Sequence, residues 1–402
     1  MNIVVFSDSF YPELSGIADS IIILAKELAA LGHRLDFYVP KYSEKDFHIF
    51  NVPAKELELG HGIKIHRLPS MRVPAPTGQA QMIIPTFLRA ISIRKNKPDI
   101  IHTHLFFSAG IEALVASRFL KVPLIGTSHT PIAEFLRYSP VQSKTEEKIG
   151  QHFVSWYYNR CDFVTAPSQG ILDEMKTYGF NRPCKVISNP IETKIFYPVA
   201  AEEKLRIKRD FNFPGFVVLY AGRLAVEKHV DVIIRAIALV KEQIPDIFFA
   251  ITGHGKAETA LRKLVIELDI ERHVRFFGTL TADCHALIYK AADVFAIAST
   301  AETQSLSLMK AMATGMPVIG VNARALPEYI NKKNGFVVEP GDYHGLADVL
   351  VLLSKNPLQR EALGRGGFES VQRFSPDIIA DEWIRLYEQV GSQFYGSHNA
   401  DG

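Results

Sequence analysis

Short, β-branched apolar runs alternate along this chain with longer segments whose apolar positions recur at helical spacing. Runs at Ile3 to Phe6, Leu35 to Val39, Ile63 to Arg67, Ile100 to His104, Pro123 to Thr127, Phe163 to Ala166 and Lys185 to Ile187 predict seven strands in the first half. Helical segments fill most gaps between them. The segment from Ile17 to Leu31 is followed by Gly32, which suits the position just past a helix C-terminus, and it keeps Asp19, Lys26 and Glu27 on a polar face. The alternation breaks from Ser188-Asn189-Pro190 through Tyr197-Pro198 and restarts at Phe216 to Tyr220. Further strands are predicted at Ile247 to Thr252, Val274 to Phe277, Val294 to Ala298, Pro317 to Val321 and Gly335 to Val338. Pro376 to Val390 reads as a closing helix, and the residues after Gly391 read as a polar tail.

This alternation is that of parallel sheets with helices on both faces. It predicts an α/β protein of two Rossmann-like, doubly wound domains, residues 1–195 and 196–375, with 376–402 as closing helix and tail. Parallel sheets bind ligands outside the carboxyl ends of their strands, so two such domains facing a central cleft place the expected site in that cleft.

Composition narrows the class. A chain of 402 residues exceeds what one core ordinarily supports. Its 47% hydrophobic and 22% charged residues exclude disordered and collagen-like proteins. Lys and Arg total 45 against 43 Asp and Glu, a net charge of +2, so no global field marks a nucleic-acid partner. Cys161, Cys184 and Cys284 form no CxxC pair, which argues against a disulfide framework or structural zinc; they read as buried thiols in a reducing compartment. Met1-Asn2 runs straight into Ile3-Val4-Val5-Phe6 without the basic segment of a signal peptide. No apolar stretch reaches the roughly 18 to 20 residues of a membrane span. The expectation is a cytoplasmic protein that meets a membrane, if at all, peripherally on the inner face of the cytoplasmic membrane.

The candidate chemistry sits just past predicted strand ends. After the first strand, Ser7 to Gly16 forms a small-residue turn into a helix, whose free N–H groups suit a phosphate; an ordinary turn glycine at Gly16 is the competing reading. Arg223 and Lys228, in Tyr220-Ala221-Gly222-Arg223-Leu224-Ala225-Val226-Glu227-Lys228, can clamp a diphosphate and offset the charge that grows as it departs, or simply be solvated loop cations. Glu302, in Ala298 to Ser305, can accept from sugar hydroxyls or only complement a helix dipole. His129, in Gly126-Thr127-Ser128-His129-Thr130, can hydrogen-bond a ligand or be a satisfied structural histidine. His102 and His104 share a strand face, but no further ligands of metal-site spacing accompany them. No Walker A pattern occurs, Gly253-His254-Gly255-Lys256-Ala257-Glu258 lacks the third glycine of a dinucleotide fingerprint, and no Asp-x-Asp pair offers a diphosphate-binding metal its ligands. Between Gly62 and Pro98, Lys64, Arg67, Arg72, Arg89, Arg94, Lys95 and Lys97 interleave with Met71, Val73, Met82, Ile83, Ile84, Phe87, Leu88, Ile91 and Ile93, with no acidic residue. That mixture reads either as a basic amphipathic helix on an anionic lipid surface or as a solvated face over a core-packed helix.

Taken in order, Ser15-Gly16, Thr127-Ser128-His129-Thr130, Gly222-Arg223-Leu224 with Lys228, and Glu302 with Ala311-Met312-Ala313-Thr314-Gly315-Met316-Pro317-Val318 resemble the retaining glycosyltransferases of family four, which have the GT-B fold. The resemblance covers nearly the whole chain. It implies a hexosyltransferase that uses a nucleoside-diphosphate sugar, retains anomeric configuration and needs neither metal nor other cofactor. It assigns His129, Arg223, Lys228 and Glu302 to catalysis, and the donor to Gly16, Arg223, Lys228, Gly253, Glu302, Thr303, Gln304, Ser305, Leu306 and Lys310. Arg67-Leu68-Pro69-Ser70 and Phe135-Leu136-Arg137-Tyr138 look most like glycolipid-forming members acting on diacylglycerol or phosphatidylinositol, with Arg89, Arg94 and Lys95 facing the membrane. A soluble or polysaccharide-precursor acceptor is the alternative. The family carries a second glutamate eight positions after the first, and here that place is Lys310. An ammonium has donors but no acceptor for ribose hydroxyls, which makes a non-catalytic sugar-nucleotide binder a further alternative.

Overall fold

The computed structural model describes the chain except for residue 14, residues 50, 51, 53, 73–80, 87, 130–142, and residues 401–402. It divides into two compact units, residues 1–190 with 376–402, and residues 191–375. The first boundary falls five residues before the one expected. Residues 376–402 belong with the first unit.

In the first unit β1 (Asn2–Phe6), β2 (Arg34–Pro40), β3 (Ile63–Leu68), β6 (Ile100–Thr103), β7 (Leu124–Thr127), β8 (Phe163–Ala166) and β9 (Cys184–Val186) form one sheet in the order β3-β2-β1-β6-β7-β8-β9. Every neighbouring pair is parallel. These are the seven strands expected from the sequence. Helices on the faces bury strands such as β1, β6 and β7 almost completely, which is why they read as continuous apolar runs. The helix Gly16–Ala30 stops where predicted: Gly32 takes φ +87°, its N–H bonds to Ala29 O, and the His33 N–H reaches back to Leu28 O.

The second unit repeats the plan with β10 (Val217–Ala221), β11 (Phe248–Thr252), β12 (Val274–Gly278), β13 (Val294–Ala296), β14 (Val318–Val321) and β15 (Gly335–Val338), ordered β12-β11-β10-β13-β14-β15 and parallel throughout. In each unit the strand order reverses beside its first strand, between β1 and β6 and between β10 and β13. Doubly wound sheets bind their ligands at such reversals.

Three expectations need correction. The stretch from Gly62 to Pro98 is not one amphipathic helix. Ile63–Leu68 joins the sheet, β4 (Ser70–Arg72) pairs antiparallel with β5 (Gln81–Ile83), and only Arg89–Ile93, followed by the 3-10 turn Arg94–Asn96, is helical. Alternating Ile63 and Ile65 pair with Leu35 and Phe37 of β2, and Pro85 precedes the short helix; Val73 and Phe87 lie outside the described residues. The tail after Gly391 is not irregular, since one helix runs Pro376–Ala400. The cysteines are not uniformly buried: Cys161 is, Cys184 is partly so, and Cys284 is exposed.

Candidate functional site

The second unit gathers most of the predicted donor residues at the ends of the strands that flank its reversal. Arg223 follows β10, and Lys228 closes the 3-10 turn Val226–Lys228. Glu302 follows β13 and precedes the helix Leu306–Ala313. Lys228 Nζ donates to Glu302 Oε1 at 2.6 Å, and Arg223 donates to Glu227 Oε1 at 3.0 Å. Both cations are therefore paired with carboxylates, Lys228 with 17% and Arg223 with 35% of its side chain exposed. Burial drives the Glu302 carboxyl up, but the Lys228 ammonium and the hydrogen bonds to it more than offset this and hold it below the usual carboxylate range. The two loops are sewn together by the Thr300 N–H and the Ser299 hydroxyl, which both donate to Glu227 O at 3.3 and 3.4 Å.

Glu227 is a functional candidate that the sequence reading passed over. Only 5% of its side chain is exposed. Its signal was the four-residue spacing from Arg223.

Ser305 caps the helix Leu306–Ala313, accepting from the Leu308 N–H at 3.3 Å. Gln304 and Ser305 are buried, while Thr303 and Leu306 are half-buried. The helix start therefore lies within a few residues of Glu302, and its N–H groups and dipole add positive character to the loop. Gly253 follows β11 at φ +109°, and a Cβ there would lie 2.0 Å from Gly222 O. Only glycine permits that approach of the β10 and β11 loops.

Lys310 is not drawn into this group. Its ammonium lies 5.1 Å from the centre of the Phe196 ring, and Phe196 packs edge-on against His285 and Tyr289. Burial, with the charge of Lys310 added, pushes His285 down to about 4.

In the first unit, Gly16 is the first residue of its helix and is exposed, next to the Ser15 cap, which accepts from the Ala18 N–H at 3.1 Å. His129 follows β7 and is buried; its Nε2 lies 2.9 Å from His104 Nδ1. His102 on β6 packs against His104, which follows the strand's end, with ring centres 4.1 Å apart. Asp8, in the loop after β1, is a second residue that sequence reading left without a role. Its carboxylate accepts from the Ala109 N–H, the Ser108 hydroxyl and the Ile83 N–H, capping the helix Ser108–Leu120. Burial outweighs those bonds and pushes its carboxyl up to about 6.

The membrane-facing set divides. Arg94 and Lys95 are exposed, as are Leu88 and Ile91 beside them. Arg89 instead makes an ion pair of 2.6 Å with Glu112, whose side chain is 2% exposed, so it faces the protein interior and not a lipid surface. Thr130 and Phe135 to Tyr138 lie outside the described residues. Among the described residues no helix is long and apolar enough to cross a membrane.

Residues 14–195 match the family described as Glycosyltransferase Family 4, and residues 201–370 match Glycosyl transferases group 1. The alpha-monoglucosyldiacylglycerol synthase of Streptococcus pneumoniae is 28% identical over 366 residues, which span 90% of this chain and 80% of that protein. The enzyme of the same name from Acholeplasma laidlawii is 25% identical over 402 residues, 96% of each chain. The crystal structure of Anabaena HepE in complex with UDP-glucose superposes with a TM-score of 0.76 at 19% identity, covering 97% of this chain and 100% of that one. Two parallel-sheet units, two consecutive family matches and these relatives give one conclusion: the chain is a glycosyltransferase of the GT-B fold, with a family 4 domain followed by a group 1 domain.

Proposed function

We propose that the chain transfers a hexosyl unit, with retention of anomeric configuration, from a nucleoside-diphosphate sugar to a membrane lipid of the diacylglycerol or phosphatidylinositol class. The observation that carries the donor half is the paired set Arg223–Glu227 and Lys228–Glu302 beside the start of the helix Leu306–Ala313. Two cations and a helix N-terminus are the groups that bind a diphosphate and stabilise the charge it gains on leaving. In this reading Arg223 and Lys228 turn from their carboxylates to the phosphates as donor binds. Glu302, thereby released, accepts from sugar hydroxyls, and the N–H groups from Thr303 to Leu306 meet the phosphate. Gly16 and His129 supply a diphosphate contact and a donor-sugar contact from the first unit. The chain's own positive charge does the work that a divalent cation does elsewhere, so no metal or other cofactor is assigned.

HepE, a structural relative, binds UDP-glucose, and two sequence relatives are named for glucosylating a diacylglycerol; both facts support this reading. Exposed Arg94, Lys95, Leu88 and Ile91 suit peripheral contact with an anionic cytoplasmic leaflet.

The test is calorimetric binding of UDP, GDP and ADP with a chelator present, followed by transfer from the matching nucleotide sugar to diacylglycerol or phosphatidylinositol in vesicles. One nucleotide is expected to bind, and a lipid product to form. A soluble product alone would replace the acceptor. Binding without turnover would favour a non-catalytic sugar-nucleotide binder, the reading that Lys310, seated on Phe196, keeps open.

A further inference from the structure

We infer that His104 is a positioning residue for His129, holding that ring in one neutral tautomer and one orientation toward the donor sugar. The inference rests on the role just proposed for His129. The two imidazoles meet nitrogen to nitrogen, His104 Nδ1 to His129 Nε2, at 2.9 Å. Between two neutral rings only one of the facing nitrogens carries a proton, so the position of that proton fixes which nitrogen of each ring is protonated.

The rings are neutral because they are dry: burial alone pushes His129 down to about 3, and burial with neighbouring histidines lowers His104 as well. They are also prevented from turning. His102 backs His104 at 4.1 Å and is bound at both nitrogens, Nδ1 to the Tyr387 hydroxyl at 2.9 Å and Nε2 to Thr127 Oγ1 at 2.7 Å. Thr127 is bound in turn to Thr165 at 2.7 Å, and Trp383 packs on the His102 ring. A small, partly open space of about 10 Å³ beside His104 and His129, lined by Ile21, Leu24, Pro190 and Trp383 among others, has about the room of one water. Any buried histidine needs its ring nitrogens satisfied; a ring that must present one defined nitrogen to a ligand needs, in addition, a neighbour that fixes its tautomer and orientation, which is the place His104 holds beside His129.

The test compares the unmodified protein with His104→Leu, which removes the nitrogen, and His104→Asn, which keeps a hydrogen-bonding atom near the Nδ1 position. Ring-nitrogen NMR on the unmodified protein should show His129 in a single neutral tautomer, a mixture in His104→Leu, and a single form again in His104→Asn. Turnover should fall roughly 10²-fold in the Leu variant, with the donor KM within about twofold, and should return to within about tenfold of normal in the Asn variant. A tautomer mixture in the unmodified protein overturns the inference even if the Leu variant does not fold. Equal loss in both variants, or normal turnover in His104→Leu, also overturns it. Absence of all transfer by the unmodified chain sinks the proposed function instead and leaves the nitrogen spectrum to decide the role of His104.

Discussion

In the proposed reaction Glu302 sits under two demands: its carboxylate neutralises Lys228 in the structure described and would accept from a sugar when the donor arrives. The Lys228 and Glu302 side chains are 17% and 11% exposed, so removing either charge leaves the other half-stranded. Glu302→Gln is expected to lower turnover roughly 10²- to 10³-fold and to destabilise the protein by about 3 kcal/mol. Steady-state kinetics and urea unfolding of the same preparation check both effects, and turnover near the unmodified value would remove Glu302 from the mechanism. Gly253 makes a second residue-scale point. Gly253→Ala forces a Cβ into Gly222 O at a positive φ, and the expected loss is about 3 kcal/mol or more. A melting temperature within about 2 °C of the unmodified protein would mean that the loops adjust freely.

Among elements, the parallel strands were the most legible from sequence, because burial on both faces writes the central ones as apolar runs. The two short antiparallel strands Ser70–Arg72 and Gln81–Ile83 were not: three residues carry too little alternation to separate a strand from a helix turn. The same gap misplaced Arg89, for its anionic partner Glu112 lies on another helix, and sequence shows no acidic residue near it. Arg89→Ala is therefore expected to cost about 3 to 5 kcal/mol by leaving the buried Glu112 carboxylate without its cation. Replacing Arg94 and Lys95 together should leave stability nearly unchanged and weaken binding to anionic vesicles about fivefold per charge. Denaturant unfolding and vesicle co-sedimentation separate the two variants, and a stability loss in the second pair as large as in the first would contradict the division. The C-terminal helix was legible as a helix but not as a companion of β6, because the contacts of Trp383 and Tyr387 with His102 join residues nearly three hundred positions apart.

For the whole molecule, the buried histidines set the response to acid. His102 and His129 are pushed from 6.5 down to about 3, so below pH 6.5 the unfolded chain takes up protons that the native state refuses. Their contribution is present above 6.5 and is lost as pH falls, about 2 kcal/mol for each ring by pH 5. Asp8 works in the opposite sense. Its carboxyl, raised from 3.8 to about 6, favours the folded state once protonated and returns about 1 kcal/mol over the same interval. The net expectation is a protein several kcal/mol less stable at pH 5 than at pH 7, read by urea unfolding at the two values; greater stability at pH 5 would mean that the rings are charged in the native state. The division into two parallel-sheet units, and the strands of each, followed from apolar runs separated by helical segments. The pairing of Arg223 with Glu227, and the seating of Lys310 on Phe196, depended on side-chain directions that no linear pattern encodes.

The helix Pro376–Ala400 completes a unit whose other residues end at 190, so the first unit cannot finish folding when its own strands have left the ribosome. It must wait while residues 191–375 are made, about 10 to 40 s at ordinary synthesis rates. During that interval the apolar face that will receive Trp383 and Tyr387 stays open, and the second unit can complete its core first. The second unit is thus free to fold before the first, which closes only when the later-synthesised helix Pro376–Ala400 docks on it.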